Sequence, residues 1–353
     1  MNLSLDFANK QFVNNNKIII SGSKSESNRL LILQQWFPNL SLQNLSDSDD
    51  TNHLINALNS TSKIIDIGHA GTAMRFLTAY FSVVEGRKII LTGSERMQNR
   101  PIKILVEALQ SLGANISYLD KQGYPPLKII GKKITIDKVS IKGNVSSQYI
   151  SALLLIAPSL KNGLEIELIE EVTSRPYLEM TINLLNQLGV ETKWQKNIIK
   201  ISPKKYIKDK IITIESDWSS ASYYYSLIAL SRVGNNIELL SYHKNSLQGD
   251  SCLADIYKKF GIETAFKENA IILKKINEIP KETIINLNLK DAPDIAQTIV
   301  VTCFGLGIAC NLTGLHTLKI KETDRLVALQ NEMQQFGAEI SVTNKSLHLK
   351  VSS

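Results

Sequence analysis

A helix-then-hairpin module recurs every 75 residues, and this period restricts the possible folds more than any other feature of the chain. Its copies open at Arg100, Arg175, Asp250 and Arg325 and read RPIKILVEALQSLGANISYL, RPYLEMTINLLNQLGVETKW, DSCLADIYKKFGIETAF and DRLVALQNEMQQFGAEISV. In the first copy Ile102, Leu105, Val106, Leu109 and Leu112 share one helical face. Pro101 reads as a first-turn proline, whose missing N–H costs no hydrogen bond. Gly113 suits the left-handed residue that stops a helix, and Gly189, Gly261 and Gly337 repeat that signal. Apolar pairs such as ETKW with IIKI then predict hairpins. A weaker copy, DDTNHLINAL followed by SKIID, lies near residues 49–67, so three copies precede about residue 215 and two follow it. Grouped in threes, the second half lacks a unit. The period therefore leads us to expect roughly 60 to 75 further residues that this sequence does not contain.

At 353 residues the chain exceeds what one hydrophobic core usually supports, which predicts two domains. Its 43% hydrophobic and 21% charged residues exclude disordered, collagen-like and disulfide-scaffold classes. The net charge of +7 suits small anionic ligands better than a nucleic-acid backbone, and the six lysines from Lys196 to Lys210 read as a solvated edge and turn. Cys252, Cys303 and Cys310 form an odd set without a CxxC pair, so neither a disulfide framework nor a zinc site is supported and a reducing cytoplasm fits. The N-terminal stretch has no signal-peptide pattern. The uncharged stretch Ile295 to Leu318 reads as a buried helix and strand, since Gln297, Asn311 and several glycines interrupt it.

The chemistry-bearing residues cluster at predicted helix starts. Ser21 to Arg29 runs from a strand through a Gly/Ser turn into a helix, where hydroxyls, backbone N–H groups, Lys24 and Arg29 form an anion cradle. Gly68 to Arg75 is a second glycine-bearing helix entrance, with Gly71 allowing close approach to the backbone. His69 has no second histidine at metal spacing and reads as a surface residue. Ser146-Ser147-Gln148, Ser174-Arg175-Pro176-Tyr177 and Glu95 to Pro101 are further polar starts. Capping explains the serines but not the arginines, because a cation opposes the positive end of a helix dipole. An anionic ligand resolves that conflict. Lys321 to Arg325, with Asp294 upstream, mixes acids and cations as proton transfer beside a phosphate requires.

Taken in order, GSKSESNR, GHAGTAMR, LTGSERMQNRPI, GYPPL, NVSSQYISALL, SRPYLEMT, DWSSASYY, APDIAQT and KETDRL resemble the 5-enolpyruvylshikimate-3-phosphate (EPSP) synthase family, the 3-phosphoshikimate 1-carboxyvinyltransferases. They span nearly the whole chain. The resemblance implies an α/β fold of two domains, an inside-out α/β barrel of repeated β/α units with helices inward and sheets outward. The expected domains are 1–21 with 216–353 and 22–215, joined by two hinge crossings with the site in the cleft between them.

The resemblance also implies transfer of the enolpyruvyl group of phosphoenolpyruvate to the 5-hydroxyl of shikimate 3-phosphate, on the route to chorismate and aromatic amino acids. Glu322 and Asp294 are the implied proton-handling carboxylates, with Lys24 and Lys321 near the moving charges. Ser25 and Arg29 are expected on the shikimate carboxylate, and Ser146, Ser147 and Ser174 on the 3-phosphate, with Gln148 and Tyr177 close by. Lys24, Arg100, Gln148 and Arg325 are expected on phosphoenolpyruvate against the Gly71 backbone. No metal or organic cofactor, nucleic acid or membrane is implied, and a cytoplasmic monomer is the family expectation.

The family's Asp-His-Arg-Met-Ala-Met stretch and final lysine are absent from these 353 residues, which predicts severe impairment of the chain as given. Glu26, His69, Phe76 and Thr317 are further departures, and they leave glyphosate sensitivity open. A UDP-N-acetylglucosamine enolpyruvyl transferase would show Lys-Asn in place of Lys24-Ser25 and a reactive loop cysteine, neither of which is found. A non-catalytic shikimate-3-phosphate-binding remnant is the alternative of a different class.

Overall fold

The computed structural model describes residues 16–351 except Val145 and Glu322; Glu322 and the first 15 residues, read above for a leader, lie outside the described residues. The described chain enters on β1 (Asn16–Ile18), followed by α1 (Lys24–Trp36), β2 (Leu40–Gln43) and α2 (Asp49–Asn59). A first full unit comprises β3 (Ile64–Asp66), α3 (Gly71–Val83), β4 (Lys88–Thr92), α4 (Glu95–Gln98), α5 (Lys103–Ser111), β5 (Asn115–Tyr118) and β6 (Leu127–Ile130). A second comprises β7 (Lys138–Lys142), α6 (Ser147–Ile156), β8 (Leu164–Ile169), α7 (Arg175–Gln187), β9 (Thr192–Gln195) and β10 (Ile198–Ile201). Then come β11 (Lys210–Thr213), α8 (Trp218–Ala229), β12 (Asn236–Leu240), α9 (Leu253–Ile256), β13 (Ile262–Phe266) and β14 (Ala270–Lys275). The last unit is β15 (Ile284–Asn288), α10 (Ala296–Leu306), β16 (Ala309–Thr313), α11 (Arg325–Gln335), β17 (Ile340–Val342) and β18 (Ser346–Leu349).

Four sheets share one topology: β3-β4-β6-β5, β7-β8-β10-β9, β1-β12-β14-β13 and β15-β16-β18-β17. In each, the first pair is parallel and the other two are antiparallel. The parallel pair needs a crossover, which α3, α6 or α10 supplies in three sheets and which, between β1 and β12, runs through the whole first half of the chain before α8; the hairpin closes the far edge. The true unit is therefore larger than the period suggested, because the helix-hairpin module is only its second half. The weak copy near residues 49–67 lacks a hairpin: its helix is α2, and its strand, β3, opens the sheet of the next unit, while β2 just before it pairs only with β11.

The glycine stops hold: Gly113, Gly189, Gly261 and Gly337 all have φ between 71° and 97°. Two local expectations change. Pro101 precedes the Ile102 cap of α5 rather than occupying its first turn. The Asp250 copy breaks into the short α9 flanked by two 3₁₀ turns. The uncharged stretch does form α10 and β16, and among the described residues no helix is long and apolar enough to cross a membrane.

Burial separates inner from outer helices. Eleven of the 13 residues of α3 are buried, but only Leu326 and Met333 of α11 are. The apolar cores form two clusters, one drawn from Leu30 to Ile214 and the other from Ile20 and Trp218 to Leu349. In the second, α8 and α10 are joined by hydroxyl bonds, Ser222 to Thr298 at 2.9 Å and Thr302 to Ser226 at 2.8 Å, while Tyr223, Leu227 and Val301 are exposed.

The chain passes between the two clusters at two adjacent points. Gly22 bridges Ser216, the Ser23 N–H donates to the Glu215 carbonyl at 2.8 Å, and the Asp217 N–H donates to the Ser21 carbonyl at 3.1 Å. A Cβ at Gly22 would lie 1.8 Å from the Asn44 carbonyl oxygen. Because that neighbour is backbone, it cannot swing away. Gly22→Ala is expected to destabilise the protein by about 1 to 3 kcal/mol, read as a lower urea midpoint; an unchanged midpoint would mean that the crossing has slack.

Candidate active site

Helices α1, α3, α6 and α7 start at a common cleft of about 430 Å³, which residues from both halves of the chain line. Lys24 and Ser25 come from the first turn of α1, Thr72 from α3, Ser147 and Gln148 from α6, and Tyr177 from the first turn of α7. The N-cap serines of three of these helices, Ser23, Ser146 and Ser174, make no side-chain cap bond. Away from the cleft the opposite holds: Ser48 and Ser94 cap α2 and α4 with their hydroxyls. Orphan N–H groups and unused hydroxyls at converging positive helix ends make an anion site.

Side chains reinforce that field. Seven Lys and Arg residues line the cleft, including Lys24, Arg29, Arg100 and Lys321, against one carboxylate among the described residues, Asp294. Sequence reading missed Arg75, Arg96 and Lys319 as lining residues, although the first two stand inside the quoted motifs. Arg75 is buried, and its guanidinium donates to the Gly71 and Pro101 carbonyls. Asp50 was also missed. Its carboxylate accepts the Thr72 and Ala73 N–H groups and the Asn28 amide, so it caps α3 from another helix. Only contact across the fold reveals that role.

Arg29 is 2% exposed and largely committed to the protein. Its Nε donates to Thr181 at 2.7 Å, Nη1 to the Ser25 carbonyl at 2.7 Å, and Nη2 to Ser151 and the Tyr177 carbonyl. Five N–H donors less these four leave one, on Nη1, for a ligand. Phe76 lies beneath it with the guanidinium 5.5 Å from the ring centroid. Burial lowers its pKa to about 10, which leaves it a cation at neutral pH.

Gly71 proves to be a seat for Arg100: a Cβ there would sit 2.4 Å from its Nη1. The open backbone expected to meet a ligand meets a cationic side chain that lines the cleft instead. Gln148 donates to Thr72 at 3.2 Å. Ser174 has φ 54° and ψ 40°, a left-handed conformation that a serine adopts only at a cost. His69 stands outside the cleft, 3.8 Å from exposed Asp49. The Thr317 hydroxyl is buried without a partner, on a residue that lines the cleft. None of the three cysteines lines it.

Asp294 sits in the turn before α10 and ties the two walls together. It accepts from Tyr177 Oη at 3.4 Å across the cleft, lies 3.3 Å from Lys321 Nζ, and receives Arg325 Nη1 at 2.8 Å. Burial acts to raise its pKa, but Lys321, Arg325 and Lys24 outweigh that and hold it below the ordinary aspartate value. Arg325, engaged with Asp294, lines an adjoining cavity of about 440 Å³ rather than the main cleft.

The family model for EPSP synthase (3-phosphoshikimate 1-carboxyvinyltransferase) matches residues 52–353. The chain belongs to the EPSP synthase family. It is 47% identical over 332 residues to the 3-phosphoshikimate 1-carboxyvinyltransferase of Bacteroides fragilis strain YCH46, covering 94% of this chain and 80% of that protein. The Haemophilus influenzae PittEE protein of the same name is 36% identical over 371 residues, with 94% and 83% covered. The solved EPSP synthase of Acinetobacter baumannii superposes with a TM-score of 0.75 at 18% identity, over 98% of this chain and 83% of that one. The α/β enolpyruvyl transferase fold is thus the fold of this chain.

Two outcomes follow from the cleft geometry. Ser174→Gly removes left-handed strain, and with it about 1 kcal/mol of cost, while deleting a hydroxyl from the anion site. The variant should show a higher urea midpoint and a weaker affinity for a phosphate ester in calorimetry. For Asp294, a lowered pKa means that the ion pairs stabilise fully above the ordinary value of 3.8 and fade as pH falls through the lower folded value. Wild type should exceed Asp294→Asn by about 1 to 3 kcal/mol at pH 7, with the gap closing only below pH 3.8; a gap that closes at pH 5 to 6 would contradict the assignment.

Proposed function

We propose that this chain transfers the enolpyruvyl group of phosphoenolpyruvate to the 5-hydroxyl of shikimate 3-phosphate, releasing phosphate. The observation that carries this reading is the cleft itself: converging helix starts and seven cations around one ionised carboxylate suit two substrates that bring two phosphates and two carboxylates. Domains 1–21 with 216–353 and 22–215 are the two walls, and the chain acts as a monomer in the cytoplasm.

Ser146, Ser147 and Ser174 bind the 3-phosphate with Gln148 and Tyr177, and Ser25 with the remaining Arg29 N–H binds the ring carboxylate. Lys24, Gln148 and Arg100, which stands against Gly71, bind phosphoenolpyruvate, and Arg325 joins them from the adjoining cavity beside Asp294. The reaction is an addition followed by an elimination. A proton goes to the methylene carbon of phosphoenolpyruvate while the 5-hydroxyl oxygen bonds to the adjacent carbon and gives up its own proton. The methyl group so formed then loses a proton, the double bond re-forms, and the carbon–oxygen bond to phosphate breaks.

Asp294, kept ionised by Lys321 and Arg325, accepts the hydroxyl proton. Glu322 handles the proton at the methylene carbon, a role that rests on the family resemblance. Lys24 and Lys321 stabilise the charge that moves onto departing phosphate. No cofactor takes part in this scheme.

The test is phosphate release by residues 1–353 given both substrates, beside a Glu322→Ala control and calorimetry with shikimate 3-phosphate. Turnover that falls about 100-fold or more in the control is expected. Binding without release would reduce the chain to a shikimate-3-phosphate-binding protein, and no binding by a folded chain would overturn the reading.

A further inference from the structure

Glu26 lies one residue beyond Ser25 on α1, yet it points away from the cleft and is 5% exposed at the crossing between the two clusters. The only hydrogen bond described for its carboxyl comes from Gln248 Nε2, at 2.9 Å. That same amide nitrogen faces Glu215 Oε2 at 3.3 Å and the Ser216 carbonyl at 3.0 Å, and Gln248 Oε1 accepts the Trp218 N–H at 2.9 Å. One side chain from the second half thus ties α1 to the crossing segment.

The two acids around it are not equivalent. Glu215 also accepts from Trp218 Nε1, the His243 N–H and the Ser246 hydroxyl, which satisfies a carboxylate. Glu26 has a share in one amide. The charged groups that face it are Glu215 and Asp217 on the crossing segment and Arg29 on α1. The two N–H groups of that amide face three acceptors, the Glu26 and Glu215 carboxyls and the Ser216 carbonyl, so two neighbouring buried carboxylate charges are left short of donors.

We propose that Glu26 is a positioning residue: as a neutral acid it lies buried beside the Glu215 carboxylate without charge repulsion while it accepts from Gln248, which latches α1 to the crossing and so holds Lys24, Ser25 and Arg29 in the cleft. Burial first, and then the Glu215 charge, push its pKa up to about 8 against the opposing Gln248 bond and Arg29. The sign follows from linkage: the latched form holds the proton more tightly than a solvated glutamate, so latching is favoured at low pH and is lost as pH rises through about 8.

The consequence for ligands rests on the functional reading above. Shikimate 3-phosphate affinity is measured from pH 6 to 9 for wild type, Glu26→Gln and Glu26→Ala, so that titration of the ligand cancels in the ratios. Glu26→Gln keeps the acceptor without an ionisable proton and should match wild type at pH 6. At pH 9 wild type should bind about tenfold more weakly than Glu26→Gln. Glu26→Ala should bind weakly throughout, with the same pH course as Glu26→Gln.

If the folded proteins bind no shikimate 3-phosphate at any pH, the substrate reading fails alone. Small-angle scattering of the free chain then reads the latch: wild type must expand between pH 6 and 9, and Glu26→Gln must not. Parallel courses of wild type and Glu26→Gln in both measurements overturn the proposal.

Discussion

The convergence of the N-termini of α1, α3, α6 and α7 on one cleft is the constraint from which the site follows. Each helix start brings orphan N–H groups and a partial positive charge, and like poles that converge repel one another. Proteins ordinarily quench such ends with a side-chain cap, as Ser48 and Ser94 do here. At the cleft Ser146 and Ser174 do not, nor does Ser23 buried at the head of α1, and cations are added on top. The arrangement is costly when empty and is relieved by anions, so affinity for phosphate and carboxylate groups is built into the packing of the fold.

Asp294 is the carboxylate set among these cations. Burial by itself would raise the Asp294 pKa, but Lys321 and Arg325 reverse that shift. The same residue touches Tyr177 from the opposite wall. Under the proposed function, proton acceptance by Asp294 would take place at this contact between the two walls, and a ligand that draws Lys321 or Arg325 toward itself would also weaken their hold on the Asp294 charge.

Much of this was legible in the linear chain. The period of 75, the stop glycines and the hairpin pairs are local signals, set by backbone geometry within a few residues, and they survived intact. The polar helix starts were legible as a group for the same reason. Pro101 and the Asp250 copy were misread because neighbours on other elements, rather than propensity, decide where a helix begins and whether it persists. The full β-α-β-α-β-β unit escaped because its parallel strands pair across a crossover and leave no spacing pattern in the sequence.

By itself the sequence determined the repeat, the family signatures and the residue types at each helix entrance, because these depend on short-range order and composition. Tertiary structure alone decided the partners. It placed Asp50 under α3, seated Arg100 against Gly71, left Arg29 a single N–H for a ligand, and set Glu26 beside Gln248 rather than in the cleft. Apart from the Arg29 bond to the Ser25 carbonyl within α1, each of these is a contact between residues at least 22 positions apart, where direction and distance come from packing and no local rule applies.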